Sequence, residues 1–310
     1  MPPLDDREHD VLQALLARPG PFVTQDALEA GASYTWLRRW CELGLLCRPV
    51  RGVYHSPCLT DDLMLRIGVL RLVVPDECVV TDRTAGWLWG AEMVLAPGDH
   101  VVTPAVSVFS PPGHRLRNGL VDSGERRLRP QDVVELDGLR VTVPLRTACD
   151  LGRLLHRDQA FAALDSLARL GRFTLDELSL SVQRYRGYRG VVQLRTLVPF
   201  VDAGAQSPGE SILRLRWLDT GLPRPSCQVP VPSPYGGSYA IDIGTAGERF
   251  GAEYDGEEFH GEDRAAHDAD RRAWARDEYG WTLVVARRGN VFGRARDIET
   301  RLRQAWEGRK

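Results

Sequence analysis

Two short β-like runs near the end of the chain constrain its fold more than any other stretch: Ser238-Tyr-Ala-Ile-Asp-Ile-Gly244 and Phe250-Gly-Ala-Glu-Tyr-Asp255. Both put acids where a buried sheet would hold apolar side chains. Side chains alternate faces along a strand, so Glu253 and Asp255 share one face. A four-residue hairpin loop over 245–248 would pair Gly244 with Arg249 and set Asp242 opposite Gly251. Asp242, Glu253 and Asp255 then converge, with the Asp242–Glu253 diagonal at roughly 7–8 Å between backbones. A three- or five-residue loop would flip one strand and remove this geometry. Burying several acids without a cation is costly, so the arrangement points to a divalent-metal site. Glu257, Glu258, Glu262 and Asp263, in the same acid-rich stretch, read instead as solvated.

The 310 residues allow two or three domains with real cores. No apolar run approaches the ~20 residues a membrane span needs. The polar start, Met1-Pro-Pro-Leu-Asp-Asp-Arg-Glu-His9, does not read as a signal peptide, which makes the cytoplasm the expected compartment. The six cysteines form no C-x-x-C pair, against a zinc knuckle. Net charge is −2 and is spread evenly, so any nucleic-acid binding must come from local patches. Lys310 is the only lysine, which excludes chemistry that needs an internal one.

Residues 7–55 read as helix, short helix, helix and hairpin. Val11, Leu12, Leu15 and Leu16 share one helical face. Thr24 is placed to cap the short helix and Ser33 the third, which runs from Tyr34 to Leu43. Leu45 to Val50 and Arg51 to His55 form the β-like pair. This is the order of a winged helix-turn-helix, whose third helix would enter the major groove of DNA. Its candidate contacts are Ser33, Tyr34, Thr35, Arg38 and Arg39, with Arg48 and Arg51 on the wing. A three-helix docking module with solvated arginines fits the same pattern.

The middle of the chain carries a helix over 62–72, an aromatic knot at Trp87-Leu-Trp-Gly90, and strands at 101–103, 119–121, 133–136 and 139–143. His100 and His114 read as surface residues. Helices follow over 147–155, 158–170 and 175–185, then the stretch Arg184-Tyr-Arg-Gly-Tyr-Arg-Gly190 and a linker at 201–206. The last third reads as α-β-β-α-β. Ser207-Pro-Gly-Glu210 opens its first helix as a capping box, or places Glu210 at the rim of the acidic site. A helix over 261–279 would pair Asp268 with Arg272, and Trp281 to Ala286 reads as a strand buried on both faces.

Asp242, Glu253-Tyr-Asp-Gly256, His260, Asp270-Arg271 and Gly280-Trp281 followed by a strand resemble the very-short-patch-repair (Vsr)-like branch of the PD-(D/E)XK nuclease superfamily, over about the last hundred residues. The resemblance implies Mg²⁺ or Mn²⁺ on Asp242 and Glu253. Asp255 stands where many relatives carry lysine. His260 would be a general base or phosphate contact, and Arg271 would hold phosphate or pair with the acids. The winged-helix start with Arg51-Gly-Val-Tyr54, and Thr147-Ala-Cys-Asp-Leu-Gly152 at the end of the middle region, resemble bacterial proteins related to the antitoxin of the type IV abortive-infection (AbiE) system. That resemblance implies DNA and a cognate toxin as partners.

The expected fold class is α+β multidomain. A winged helix-turn-helix spans 1–60, a mixed α/β region 61–204, and a restriction-endonuclease-like α/β domain 205–310. Two functions follow. One is a metal-dependent DNA endonuclease with Asp242, Glu253, Asp255, His260, Glu210 and Arg271 at its site. The other is an antitoxin-like transcriptional repressor whose nuclease fold is only a scaffold.

Overall fold

The computed structural model describes residues 4–91, 106–110, 121–233, 236–256 and 262–309, with the backbone alone for 121–125 and 262–268. His100, His114, His260 and the expected strand at 101–103 lie outside the described residues. The chain is a mixed α/β protein with three sheets among the described residues, and it divides into two compact units, one up to Asp150 and one from Leu151 onward. Among the described residues no helix is long and apolar enough to cross a membrane.

The first unit opens with α1 (Asp6–Leu16), β1 (Phe22–Val23), α2 (Thr24–Glu29), α3 (Tyr34–Glu42), β2 (Cys47–Val50) and β3 (Val53–His55). Leu12 and Leu15 of α1 meet Phe22, Leu37, Trp40 and Tyr54 in one buried cluster, the face expected from their spacing. Ser33 caps α3 by accepting a hydrogen bond from Trp36 N at 3.1 Å. Thr24 begins α2 rather than capping it, and the Asp26 carboxylate accepts instead from Val23 N. The first hairpin strand starts at Cys47 rather than Leu45. Leu45 N and Leu46 N both bond Trp40 O, closing the end of α3 before the chain can pair. β1 was not expected. Its two residues pair with Val53 and Tyr54, giving a sheet of order β1-β3-β2.

The same unit continues with α4 (Leu63–Arg71), β4 (Val79–Val80), α5 (Asp82–Leu88), β5 (Val106–Ser110), β6 (Val121–Glu125), β7 (Val133–Leu136), β8 (Leu139–Thr142) and α6 (Pro144–Leu154), a helix that runs across the boundary. The strands form a sheet of order β6-β5-β4-β8-β7. The expected strands at 133–136 and 139–143 are β7 and β8, and they pair antiparallel as a hairpin. The aromatic knot is the end of a helix: Leu88 enters the core, and the Trp89 indole donates to Thr142 O at 2.9 Å.

The second unit contains α7 (Arg157–Arg169), α8 (Leu175–Ser181), α9 (Val191–Leu197), α10 (Pro208–Thr220), β9 (Ser226–Pro232), β10 (Ser238–Thr245), β11 (Phe250–Asp255), α11 (Glu262–Tyr279), β12 (Thr282–Arg287), α12 (Arg288–Val291) and α13 (Ile298–Glu307). Its sheet has the order β12-β11-β10-β9, with β11 and β12 parallel and the other pairs antiparallel. Ile212, Leu213 and Trp217 of α10 and Leu302 of α13 pack with Ile243, Phe250, Ala252 and Val284 of the sheet. Ala275 of α11 packs with Val229, Tyr239, Ile241 and Trp281. β9 and α13 were not expected. β12, expected as a strand buried on both faces, lies at the sheet edge, though its residues feed both clusters.

The expected linker at 201–206 is tied down. Asp202 N donates to the Asp165 carboxylate, and Arg214 binds that same carboxylate through Nη2 at 2.8 and 2.6 Å. Arg214 also donates to Phe200 O and lies over the Phe161 ring. In the 184–190 stretch Tyr185 is buried, whereas Tyr188 is exposed. The Arg153 guanidinium stacks on both rings and donates to Arg189 O. Gly190 has φ +76, and a Cβ there would overlap the Arg153 carbonyl, so only glycine fits.

Removing one partner of a fully buried ion pair leaves the other uncompensated. Asp165→Ala is therefore expected to lower the stability of the second unit by about 3–5 kcal/mol in equilibrium urea unfolding.

Candidate functional site

The first candidate surface is α3 with the β2/β3 hairpin. Tyr34, Thr35, Arg38, Arg48 and Arg51 are exposed. Arg38 pairs with Glu42 one turn along the helix at 2.8 Å, an exposed contact. Surface pairs of this kind are weak enough to be exchanged for another anion. Ser33 is occupied as the cap of α3. Arg39 departs from its expected outward role. Its Nη1 donates to Glu8 Oε2 at 3.0 Å, while the Trp40 indole donates to Glu8 Oε1 at 2.9 Å. Glu8 is buried and needs that counter-charge, so Arg39 clamps α3 to α1.

The second candidate is the acidic group on the four-stranded sheet. β10 and β11 pair through Ile243↔Ala252, Gly244↔Gly251 and Thr245↔Phe250. The loop therefore spans 246–249, one residue later than expected. Gly244 faces Gly251 rather than Arg249, and the same register carries Asp242 opposite Glu253 rather than Gly251. The slip is two residues, which keeps the parity of the pairing up to its last pair, Ile243↔Ala252.

Regular alternation fails at Asp242. Ile241 and Ile243, which a regular pleat would put on one face, join different core clusters. On the other side, Ile241↔Val229 and Ile243↔Cys227 bracket Asp242 and Gln228, and Gln228 has φ +52. This kink lets Asp242 Oδ2 accept from Tyr254 N at 2.7 Å.

Glu210 reaches the group from the start of α10. Ser207 caps that helix by accepting from Glu210 N at 3.1 Å. The Glu210 carboxylate does not close the expected box on Ser207. It accepts instead from Gln206 N at 2.9 Å and from the Gln228 side chain at 3.0 Å. Gly209 permits the approach, because a Cβ there would overlap the Tyr254 ring. Glu253 is buried on β11, and its Oε2 accepts from Arg272 Nε at 2.5 Å. Asp255 goes elsewhere: it pairs across the strands with Arg287, 4.0 Å away.

Burial pushes the Asp242 carboxyl up from 3.8 to about 7, helped by the charges of Glu210 and Glu253 and opposed by the Tyr254 amide and Arg271. Burial, with Glu253 nearby, likewise raises Tyr239 to about 12. The Arg271 guanidinium lies over the Tyr239 ring, 4.8 Å from its centre. Two buried oxygens here, Glu253 Oε1 and Tyr239 Oη, have no hydrogen-bond partner among the described residues. Orphaned buried polar atoms mark places where a water, ion or ligand is held. Among the described residues, however, no three His, Cys, Asp or Glu side chains are grouped to hold a metal ion.

The structure brings Asp242, Glu253, Glu210 and Arg271 together and leaves Asp255 at the strand end. Sequence reasoning missed Gln228 and Arg272. Helical spacing pairs Arg272 with Asp268, whose side chain lies outside the described ones, and gives no sign that Arg272 also meets the buried Glu253. Nothing in the local sequence signals the conformation of Gln228.

The description "AbiEi antitoxin C-terminal domain" matches residues 78–200. That match covers all five strands of the sheet β6-β5-β4-β8-β7 and the helices from α5 through α9. Two mycobacterial proteins, Uncharacterized protein MT2308 of Mycobacterium tuberculosis strain CDC 1551 and Uncharacterized protein Rv2248 of strain H37Rv, are each 33% identical over 242 residues, 78% of this chain and 85% of theirs. The chain belongs to one family with these two proteins.

A carboxyl whose folded pKa is raised favours the folded state most at low pH and withdraws that support as pH rises through the folded value. Asp242 should therefore cost the wild type stability between about pH 4 and 7. In thermal melts across that window, Asp242→Asn is expected to flatten the decline; an unchanged slope would show that Asp242 titrates normally.

Proposed function

We propose that this protein is an antitoxin-like DNA-binding repressor of the type IV kind, with a cognate toxin as partner. The match of residues 78–200 to an antitoxin domain carries this reading. The three helices and hairpin at the start of the chain support it, because their order suits a winged helix over residues 1–60. In this reading α3 enters the major groove. Tyr34 and Thr35 face the bases, Arg38 leaves Glu42 for a phosphate, and Arg48 and Arg51 grip the backbone from the wing. Arg39 and Ser33 hold the helix in place. Residues 61–204 would meet the toxin, and 205–310 would serve as a scaffold.

The test is retardation of the DNA upstream of the protein's own gene. Binding is expected without Mg²⁺. Arg48→Ala/Arg51→Ala should weaken it and lower the slope of log affinity against log salt by about 2, close to one per lost phosphate contact. Retardation and salt slope unchanged in this variant would remove the wing from the interface.

A second reading, a Mg²⁺- or Mn²⁺-dependent DNA endonuclease of Vsr-like fold over 205–310, is favoured by the orphaned Glu253 Oε1 beside a half-buried Asp242 whose carboxyl is pushed up to about 7. Asp242 and Glu253 would hold the cation, with Asp255 at the margin. The bound ion would supply a water of lowered pKa and neutralise charge on the scissile phosphate. Arg271 would hold the phosphate, and His260 would take the proton. Glu210, through Gln228, keeps the sheet edge in position. Supercoiled plasmid nicked by wild type with Mg²⁺ or Mn²⁺, and left intact by Asp242→Ala/Glu253→Ala, is the outcome this reading expects. Equal nicking by both proteins would exclude the site.

A further inference from the structure

The first unit contains a cavity of about 700 Å³ to which neither proposed function assigns a ligand. Its volume falls within the range of small-molecule sites. Val79, Phe109 and Val134 form part of an apolar wall, and Arg127, Arg129 and Arg140 line it with positive charge. Val79 and Phe109 are cross-strand partners on β4 and β5, so the wall is built on the sheet rather than on a loop.

The arginines of this cavity differ in how far they are already engaged. Arg126 is committed. It donates to Asp82 at 2.9 and 3.1 Å and to Asp150 at 2.7 Å, and it lies over the Phe109 ring at 3.9 Å. It therefore fixes the aromatic wall rather than supplying charge. Arg140 faces Glu135 across the β7/β8 hairpin, which offsets its charge. Arg127 and Arg129 remain. Both are exposed and neither has an ion pair among the described residues. They stand two apart on the chain and leave the cavity a surplus of two positive charges.

We propose that this cavity binds a nucleotide, with the base against Val79, Phe109 and Val134 and the phosphates on Arg127 and Arg129. The two halves of the lining select for it together. An apolar wall next to an aromatic ring accepts a flat base. Guanidinium groups match phosphate oxygens in a bidentate fashion. A simple inorganic anion would leave the wall unused, and an uncharged aromatic compound would leave the arginines unused.

The test is calorimetric titration of the full chain with ATP, GTP and inorganic pyrophosphate. At least one nucleotide is expected to bind saturably, and more tightly than pyrophosphate. Arg127→Ala/Arg129→Ala, on exposed side chains outside the core, should weaken that binding tenfold or more while leaving the melting temperature unchanged. Val134→Trp, which fills the cavity, should abolish it. The proposal is overturned if the folded wild type binds neither nucleotide. It is overturned equally if the double variant binds as the wild type does, or if pyrophosphate binds as tightly as either nucleotide.

Discussion

The second unit depends on one buried ion pair, Asp165 with Arg214. The pair joins α7 to α10, and through Phe200 O and Asp202 N it fastens the segment between α9 and α10 as well. α10 is the helix that packs on the sheet and delivers Glu210 to the acidic group. A hydrophobic pair of equal volume could hold the two helices. It could not satisfy a backbone carbonyl and a backbone amide in the segment between them. The pair therefore sets geometry as much as it adds cohesion. Burial raises the Asp165 carboxyl to about 6, still low enough for it to meet Arg214 as an ion near neutral pH.

The near absence of lysine gives this arrangement a wider meaning. In the first unit Arg126 bridges Asp82 and Asp150, and Arg146 bridges Asp150 and Asp132. A planar guanidinium can hold two carboxylates at once, which an ammonium does less well. Both units use such bridges to bury acids that a core would otherwise exclude. The acidic group of Asp242, Glu253 and Glu210 is the exception. Arg272 answers only one oxygen of Glu253, and Asp242 has an amide and a more distant Arg271. Asp242 answers that deficit with a carboxyl pushed up to about 7. Local incompleteness of this sort is what separates a site from a structural network.

Much of the local structure was legible in the sequence. Helical spacing placed Leu12 and Leu15 in the core, Ser33 capped its helix, and strands formed at 133–136 and 139–142. The failures share a cause. β1 has only two residues and exists because Val53 and Tyr54 are there to pair with it. The linker at 201–206 looked unstructured because its anchor, Asp165, lies far away in the chain. Arg39 was read as a surface residue because nothing nearby reveals that Glu8 is buried.

At the acidic group the sequence by itself determined which residues could matter: carboxylates flanked by isoleucine, alanine and tyrosine on two adjacent strands. It also brought Asp242 and Glu253 onto adjacent strands, for which a four-residue loop suffices. Only the tertiary structure decided the loop position, the kink at Asp242 and Gln228, and the partners of Glu210, Arg272 and Asp255. Those outcomes depend on which charges are buried together, and burial is a property of the packed sheet and helices that no single segment of chain encodes.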